Sequence, residues 1–135
     1  MQPPDPTALI QAAEEVRANA YAPYSVYRVG AAVLDEKGRI HVGVNVENVS
    51  FGLTVCAERN AIASMAASGG KEIRAVAVVT DDGGTPCGAC RQVLSEFAPN
   101  PSEVWVFGHS AKNNWQARLS DLLPSGFNTE LKKES

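Results

Sequence analysis

The chain has 135 residues, 44% of them hydrophobic, which suits one domain with a real core. A formal charge of −3 and a pI near 5.3 argue against a nucleic-acid binder, whose footprint is basic. No stretch approaches the ~18 apolar residues of a membrane span, and MQPPDPTALIQ has neither the basic n-region nor the apolar h-region of a secretory signal. The expected location is the cytosol.

Asp5 is placed to cap a helix with Pro6 at its first position, running to about Asn19. Leu9, Ala12, Ala13, Val16 and Ala20 supply its apolar rhythm, and Pro23 breaks it. Val26 to Leu34 reads as a strand and DEKG as a turn. RIHVGVNVEN then alternates, with Ile40, Val42, Val44 and Val46 on one face and His41, Gly43, Asn45 and Glu47 on the other. The two runs predict a hairpin. A helix is expected from Cys56 to about Ser68, ended by Gly69-Gly70. Beyond Glu58 and Arg59 it is apolar nearly all round, which predicts burial on all sides. IRAVAVVT suits a strand buried on both faces, DDGGTPCG a loop, and Ala89 to Phe97 a short helix stopped near Pro99. EVWVFG is a further strand. NWQARL fits either another strand or a turn of helix; SDLLPSGF follows, and the polar tail NTELKKES is expected to fray. This order predicts an α/β fold, a mixed sheet with helices on its faces.

Three cysteines in a cytosolic chain are free thiols or metal ligands rather than a disulfide framework. Cys87 and Cys90 form a C-x-x-C, and at a helix start i and i+3 share a face. Two thiolates there can grip one metal, and Cys56 can supply a third. Three protein ligands leave the fourth tetrahedral position open, as a catalytic zinc site requires. Taken alone, the C-x-x-C equally fits a redox dithiol or two buried small residues. His41 and His109 lack ligand-like spacing and read as surface or strand residues.

Glu58 follows Cys56 by two, a spacing that does not share a helix face. Both can serve one site only off the helix N-terminus. Zinc is therefore expected at the mouths of two helices, whose dipoles offset the negative charge of a metal with three thiolates. Arg59 and Arg91 can donate hydrogen bonds to the sulfurs; each also fits a surface ion pair.

Cys-x-Glu followed by Pro-Cys-x-x-Cys is the pattern of the zinc nucleobase deaminases. Together with APYSVYRVGAAV, GVNVENVSFG, CAERNAI, PCGACRQVLSEF and LLPSGF, it resembles the small homotetrameric cytidine deaminases over nearly the whole chain. The resemblance implies one catalytic domain over 1–135, with loose termini at 1–6 and 129–135. It implies a three-layer α/β/α fold around a mixed, roughly five-stranded sheet. It implies one zinc per chain on Cys56, Cys87 and Cys90, with Glu58 as proton shuttle and Arg59 tempering the thiolate charge. Asn45 and Glu47 would read the ribose. As i, i+2 on a strand they point the same way and can offer a sugar hydroxyl a donor and an acceptor; otherwise they are a solvent-facing pair.

Tyr27, where the family more often has phenylalanine, would stack on the base, and its hydroxyl then needs a partner. The Ala57 N–H would hold the base carbonyl and the Thr85 carbonyl its amino group. Phe51 matches an interfacial loop, and Phe127 an aromatic that reaches a neighbouring subunit's pocket. The activity implied is hydrolytic deamination of cytidine and 2′-deoxycytidine to uridine and 2′-deoxyuridine with release of ammonia, in pyrimidine salvage. The implied partners are a nucleoside and three further copies of the chain, with active sites shared between subunits and no nucleic acid or membrane. The rivals are a blasticidin-type deaminase, which NVEN with Glu47 disfavours, a polynucleotide deaminase, for which no basic stripe exists, and a structural zinc module, which needs a fourth ligand.

Overall fold

The structure is a computed structural model and describes residues 2–128. It runs α1 (Thr7–Arg17), β1 (Gly30–Asp35), β2 (Ile40–Val44), α2 (Ala57–Ala67), β3 (Ile73–Val79), α3 (Gly88–Glu96), β4 (Trp105–His109), β5 (Trp115–Arg118) and α4 (Leu119–Leu122). The fraying expected of 129–135 lies outside the described residues.

The sheet has five strands in the order β2-β1-β3-β4-β5. β1 is antiparallel to β2 and β3, β4 is antiparallel to β5, and β3 and β4 are parallel. Two connections are crossovers: α2 carries the chain from β2 past β1 to β3, which runs parallel to β2, and α3 joins the parallel neighbours β3 and β4. Alternate strand residues feed two cores. Ala31, Val33, Val76, Val78 and Val106 pack with Ile62 and Met65 of α2 and Leu94 of α3. Ala32, Ala75, Ala77, Val79 and Phe107 pack with Leu9 and Ala13 of α1. The result is three layers, with β3 buried on both faces as its composition demands. The register slips at Leu34/Asp35, where Arg74 is the extra residue of a bulge.

Several elements differ from expectation. α1 stops at Arg17, and Pro6 is its cap rather than its first residue. Asp5 still serves the first turn, accepting from the Thr7 N–H at 3.0 Å and the Thr7 hydroxyl at 2.7 Å. β1 begins at Gly30, not Val26, because a side chain replaces the ladder there: Asn45 Oδ1 accepts from the Val29 N–H at 2.9 Å, and Asn45 Nδ2 donates to the Tyr27 carbonyl at 2.7 Å. NWQARL resolves into both candidates, β5 and then the first residue of α4. Within one chain α2 is not buried all round, since Ala63, Ala66 and Ala67 are exposed.

His41 lies in β2, but it is buried and not a surface residue. Its Nε2 sits 2.8 Å from Asp35 Oδ2. Asp35 also accepts from the backbone N–H groups of Lys37 and Arg39 at 2.8 and 2.9 Å and from Arg39 Nε at 2.8 Å. Burial opposes its ionisation, but the hydrogen bonds from His41 and Arg39 outweigh burial and hold its carboxyl well below the usual carboxylate range. Arg39 Nη1 then donates to the Ser68 carbonyl at 3.2 Å, tying the hairpin turn to the C-terminus of α2. Among the described residues no helix is long and apolar enough to cross a membrane.

Candidate active site

Gly43 brings the site together. A Cβ there would lie 2.3 Å from Ala61 N and 2.5 Å from the Ala57 carbonyl oxygen, so only glycine lets β2 lie directly on α2. Past Val44 the chain leaves the sheet. Val46 and Val55 exchange two backbone hydrogen bonds, at 2.9 and 3.0 Å. Asn45 and Glu47 therefore run beside the segment that enters Cys56.

Cys56 caps α2 and Cys87 caps α3, while Cys90 lies buried in the first turn of α3. The three sulfurs lie within 4.8 Å of one another, with Cys56 Sγ to Cys87 Sγ at 3.9 Å and Cys87 Sγ to Cys90 Sγ at 3.4 Å. A tetrahedral zinc with Zn–S of about 2.3 Å separates its sulfurs by roughly 3.8 Å, so this trio fits the metal. The Cys90 hydrogen bond, with Arg59 behind it, pulls the Cys56 thiol down, and the same bond with burial pushes Cys90 up.

Glu58 is the second residue of α2 and is 5% exposed. Burial raises its pKa above the ordinary glutamate value, and the neighbouring Cys56 sulfur acts in the same direction. Arg59 Nη2 donates to Cys56 Sγ at 3.6 Å and to the Thr54 carbonyl at 3.3 Å, so it serves a sulfur rather than a surface acid. Arg91 does not. Next to Cys90 it points round the helix from the sulfurs and donates to the Pro86 carbonyl at 2.8 Å, the Leu122 carbonyl at 2.7 Å and Thr85 Oγ1 at 3.1 Å. It anchors the loop that delivers Cys87.

The remaining candidates spread around this centre. Glu47 Oε1 accepts from the N–H groups of Tyr24 and Ser25 at 2.9 and 3.1 Å, and Oε2 from the Ser25 hydroxyl. The Ser25 hydroxyl foremost holds its pKa low. Glu47 lines a cleft of about 330 Å³ with Tyr24, Ser25, Phe51 and Thr54, and Thr54 shares Arg59 with the cysteines. Tyr27 packs against the α2/α3 core, and its hydroxyl donates to Asp82 Oδ1 at 2.7 Å. Ala57, fully buried, opens α2, so its N–H belongs to the turn without intrahelical acceptors. Thr85 precedes Pro86 on the cysteine loop. Phe51 and Phe127 are exposed in the single chain, and the Phe127 carbonyl accepts from Gln92 Nε2 at 3.1 Å. Sequence reasoning missed Ser25, Thr54 and Asp82; only tertiary pairing marks them.

Three thiols, joined by no fourth histidine, cysteine or carboxylate ligand among the described residues, and a buried acid alongside suit a metal-dependent hydrolase rather than a closed structural site. The family model described as "Cytidine and deoxycytidylate deaminase zinc-binding region" matches residues 4–107, and the chain belongs to this family. A cytidine deaminase of Halalkalibacterium halodurans is 41% identical over 128 residues, covering 93% of this chain and 96% of that one. One from Mycobacterium tuberculosis strain H37Rv is 44% identical over 117 residues, covering 85% and 84%. The crystal structure of cytidine deaminase from Burkholderia pseudomallei superposes with a TM-score of 0.85 at 41% identity, covering 92% of this chain and all of that chain.

Proposed function

We propose that the protein hydrolyses cytidine and 2′-deoxycytidine to the uracil nucleosides and ammonia, as a step of pyrimidine salvage. The observation that carries this reading is the buried Glu58 beside three sulfurs at the mouths of α2 and α3. Cys56, Cys87 and Cys90 would hold zinc, which when bound supplies Lewis acidity and brings the pKa of a water molecule toward neutrality.

Glu58 moves the protons. It accepts one from the attacking water and delivers it to N3 of the cytosine ring, which makes C4 electrophilic. After the C4–O bond forms, Glu58 takes the remaining proton from the new C4 hydroxyl and carries it to the amino nitrogen; the C4–N bond breaks as the C4 carbonyl forms, and ammonia leaves. Burial raises its pKa, the direction that favours a carboxyl able to hold a proton as well as take one. The Ala57 N–H faces the base carbonyl, the Thr85 carbonyl takes the amino group, and Tyr27 forms the aromatic wall. Asn45 and Glu47 meet the ribose. A carboxylate has roughly four lone-pair sites, so Glu47, with three donors on it, keeps one for a sugar hydroxyl.

The same reading takes residues 1–135 as one catalytic domain, the cytoplasm as the location and a homotetramer as the working form. The exposed Ala63, Ala66 and Ala67 of α2 and the exposed Val49, Phe51 and Leu53 support subunit packing, with Phe51 and Phe127 serving a neighbour's site. An ultraviolet assay of the zinc-loaded protein on cytidine, deoxycytidine, cytosine and blasticidin tests the activity. Loss of absorbance on the two nucleosides is expected. No change on either, or turnover of blasticidin alone, contradicts it.

A further inference from the structure

The Tyr27 hydroxyl takes no part in this chemistry, yet it joins two walls of the site. It donates to Asp82 Oδ1 at 2.7 Å, and the same oxygen accepts from the Gly84 N–H at 3.0 Å. Thr80 Oγ1 accepts from the Gly83 and Gly84 N–H groups at 2.7 and 3.0 Å, winding this loop tightly. Gly84 lies so close that a Cβ there would be 2.8 Å from the Tyr27 hydroxyl oxygen. The loop goes on to Thr85 and Cys87, where Arg91 grips it from the far side.

The other wall is equally constrained. Val26, a β-branched residue, has φ of 60°, a conformation such residues rarely adopt. Glu47 holds the turn before it, Ser25 Oγ accepts from the Tyr27 N–H at 3.0 Å, and Asn45 takes the Tyr27 carbonyl. Backbone contacts thus fix the base of the ring, and Asp82 fixes its tip.

We propose that the Tyr27–Asp82 hydrogen bond is a latch that sets the spacing between the aromatic wall and the loop bearing Thr85, making both side chains positioning residues for nucleoside binding. This rests on the reading of Tyr27 and Thr85 as base-pocket residues. A phenyl ring would keep the wall and lose the tie. Because Cys87 is held separately, its carbonyl accepting from the Arg91 backbone N–H at 3.0 Å and the preceding Pro86 carbonyl from Arg91 Nε at 2.8 Å, the latch acts on binding rather than on the chemical step.

The test is steady-state kinetics on cytidine with zinc-loaded Tyr27→Phe, Asp82→Ala, the double variant, Asp82→Asn and Tyr27→Ala. Tyr27→Phe and Asp82→Ala should each raise KM about three- to tenfold with kcat within about twofold of wild type. The double variant should be no worse than the worse single, because the same Tyr27–Asp82 bond is already lost in each single variant. Asp82→Asn, whose side-chain oxygen still accepts, should stay within about twofold of the wild-type KM. Multiplying effects in the double variant, a fall in kcat as large as the rise in KM, or a raised KM in Asp82→Asn would overturn the latch. If Tyr27→Ala raises KM while Tyr27→Phe does not, the wall stands and the latch fails. If Tyr27→Ala leaves KM unchanged, the pocket reading fails with it.

Discussion

At Val26 the backbone carries a cost that its own side chain makes worse. The residue is 73% exposed with φ of 60°, so the side chain contributes little packing to offset it. Asparagine tolerates the left-handed region, and Val26→Asn should stabilise the protein by about 0.5–1 kcal/mol, read as a higher melting temperature; a lower one would contradict the strain. Asp35 makes the opposite case, a side chain on which its neighbours depend. Its folded pKa lies below the unfolded value of about 3.9, so between the two values the unfolded chain binds more protons. Its contribution is complete above that window and is lost as pH falls through it. Thermal melts taken from near pH 6 down to about pH 2 should show a steep loss for wild type below about pH 4 and a shallower one for Asp35→Asn, which should also melt lower near neutrality because His41 and Arg39 lose their charged partner. An equal slope in the two proteins would contradict the assignment. The cysteines and Glu58 are legible in sequence because few residue types do this chemistry and their spacing carries the geometry. Asp35 with His41, and Asp82 with Tyr27, are not, because each pair exists only once separate segments meet. Arg91 misleads for a related reason: adjacency in sequence to Cys90 is a turn of about 100° on a helix, enough to aim it elsewhere.

Elements meet at Gly43, where β2 and α2 approach more closely than any side chain permits. Gly43→Ala should cost roughly 1–3 kcal/mol by overpacking and displace the N-terminus of α2, and with it Cys56, Glu58 and the Ala57 N–H. The expected readout is a lower melting temperature together with reduced zinc content and turnover. Wild-type values for all three would show that the close approach does not govern the site. The helix caps at Cys56 and Cys87 follow from reading Glu58 two residues beyond a ligand, since only a helix mouth can use both. The start of β1 is beyond such reasoning. Residues 26–29 look like strand because Val26, Tyr27 and Val29 are β-formers, but the Asn45 side-chain amide takes the Val29 N–H and the Tyr27 carbonyl where a neighbouring strand's backbone would.

For the whole molecule, the continuous apolar run of β3, which demands cover on both faces, and the alternation of helices with strands make the three layers readable in advance. Which face of β2 is covered is not readable, because the answer involves neighbours. His41, Gly43 and Asn45 face the interior, while Ile40, Val42 and Val46 are exposed in the single chain. Four chains packed together would give that apolar face and the alanines of α2 somewhere to go. Sedimentation of the zinc-loaded protein should give the mass of a tetramer, and a stable, fully active monomer would reject shared active sites. The direct measurement of Glu58's role as proton carrier is cytidine turnover by Glu58→Gln against wild type at matched zinc content. Turnover should fall by about 10²–10⁴ or more while zinc content and melting temperature hold; wild-type-like turnover by the zinc-loaded variant would contradict it.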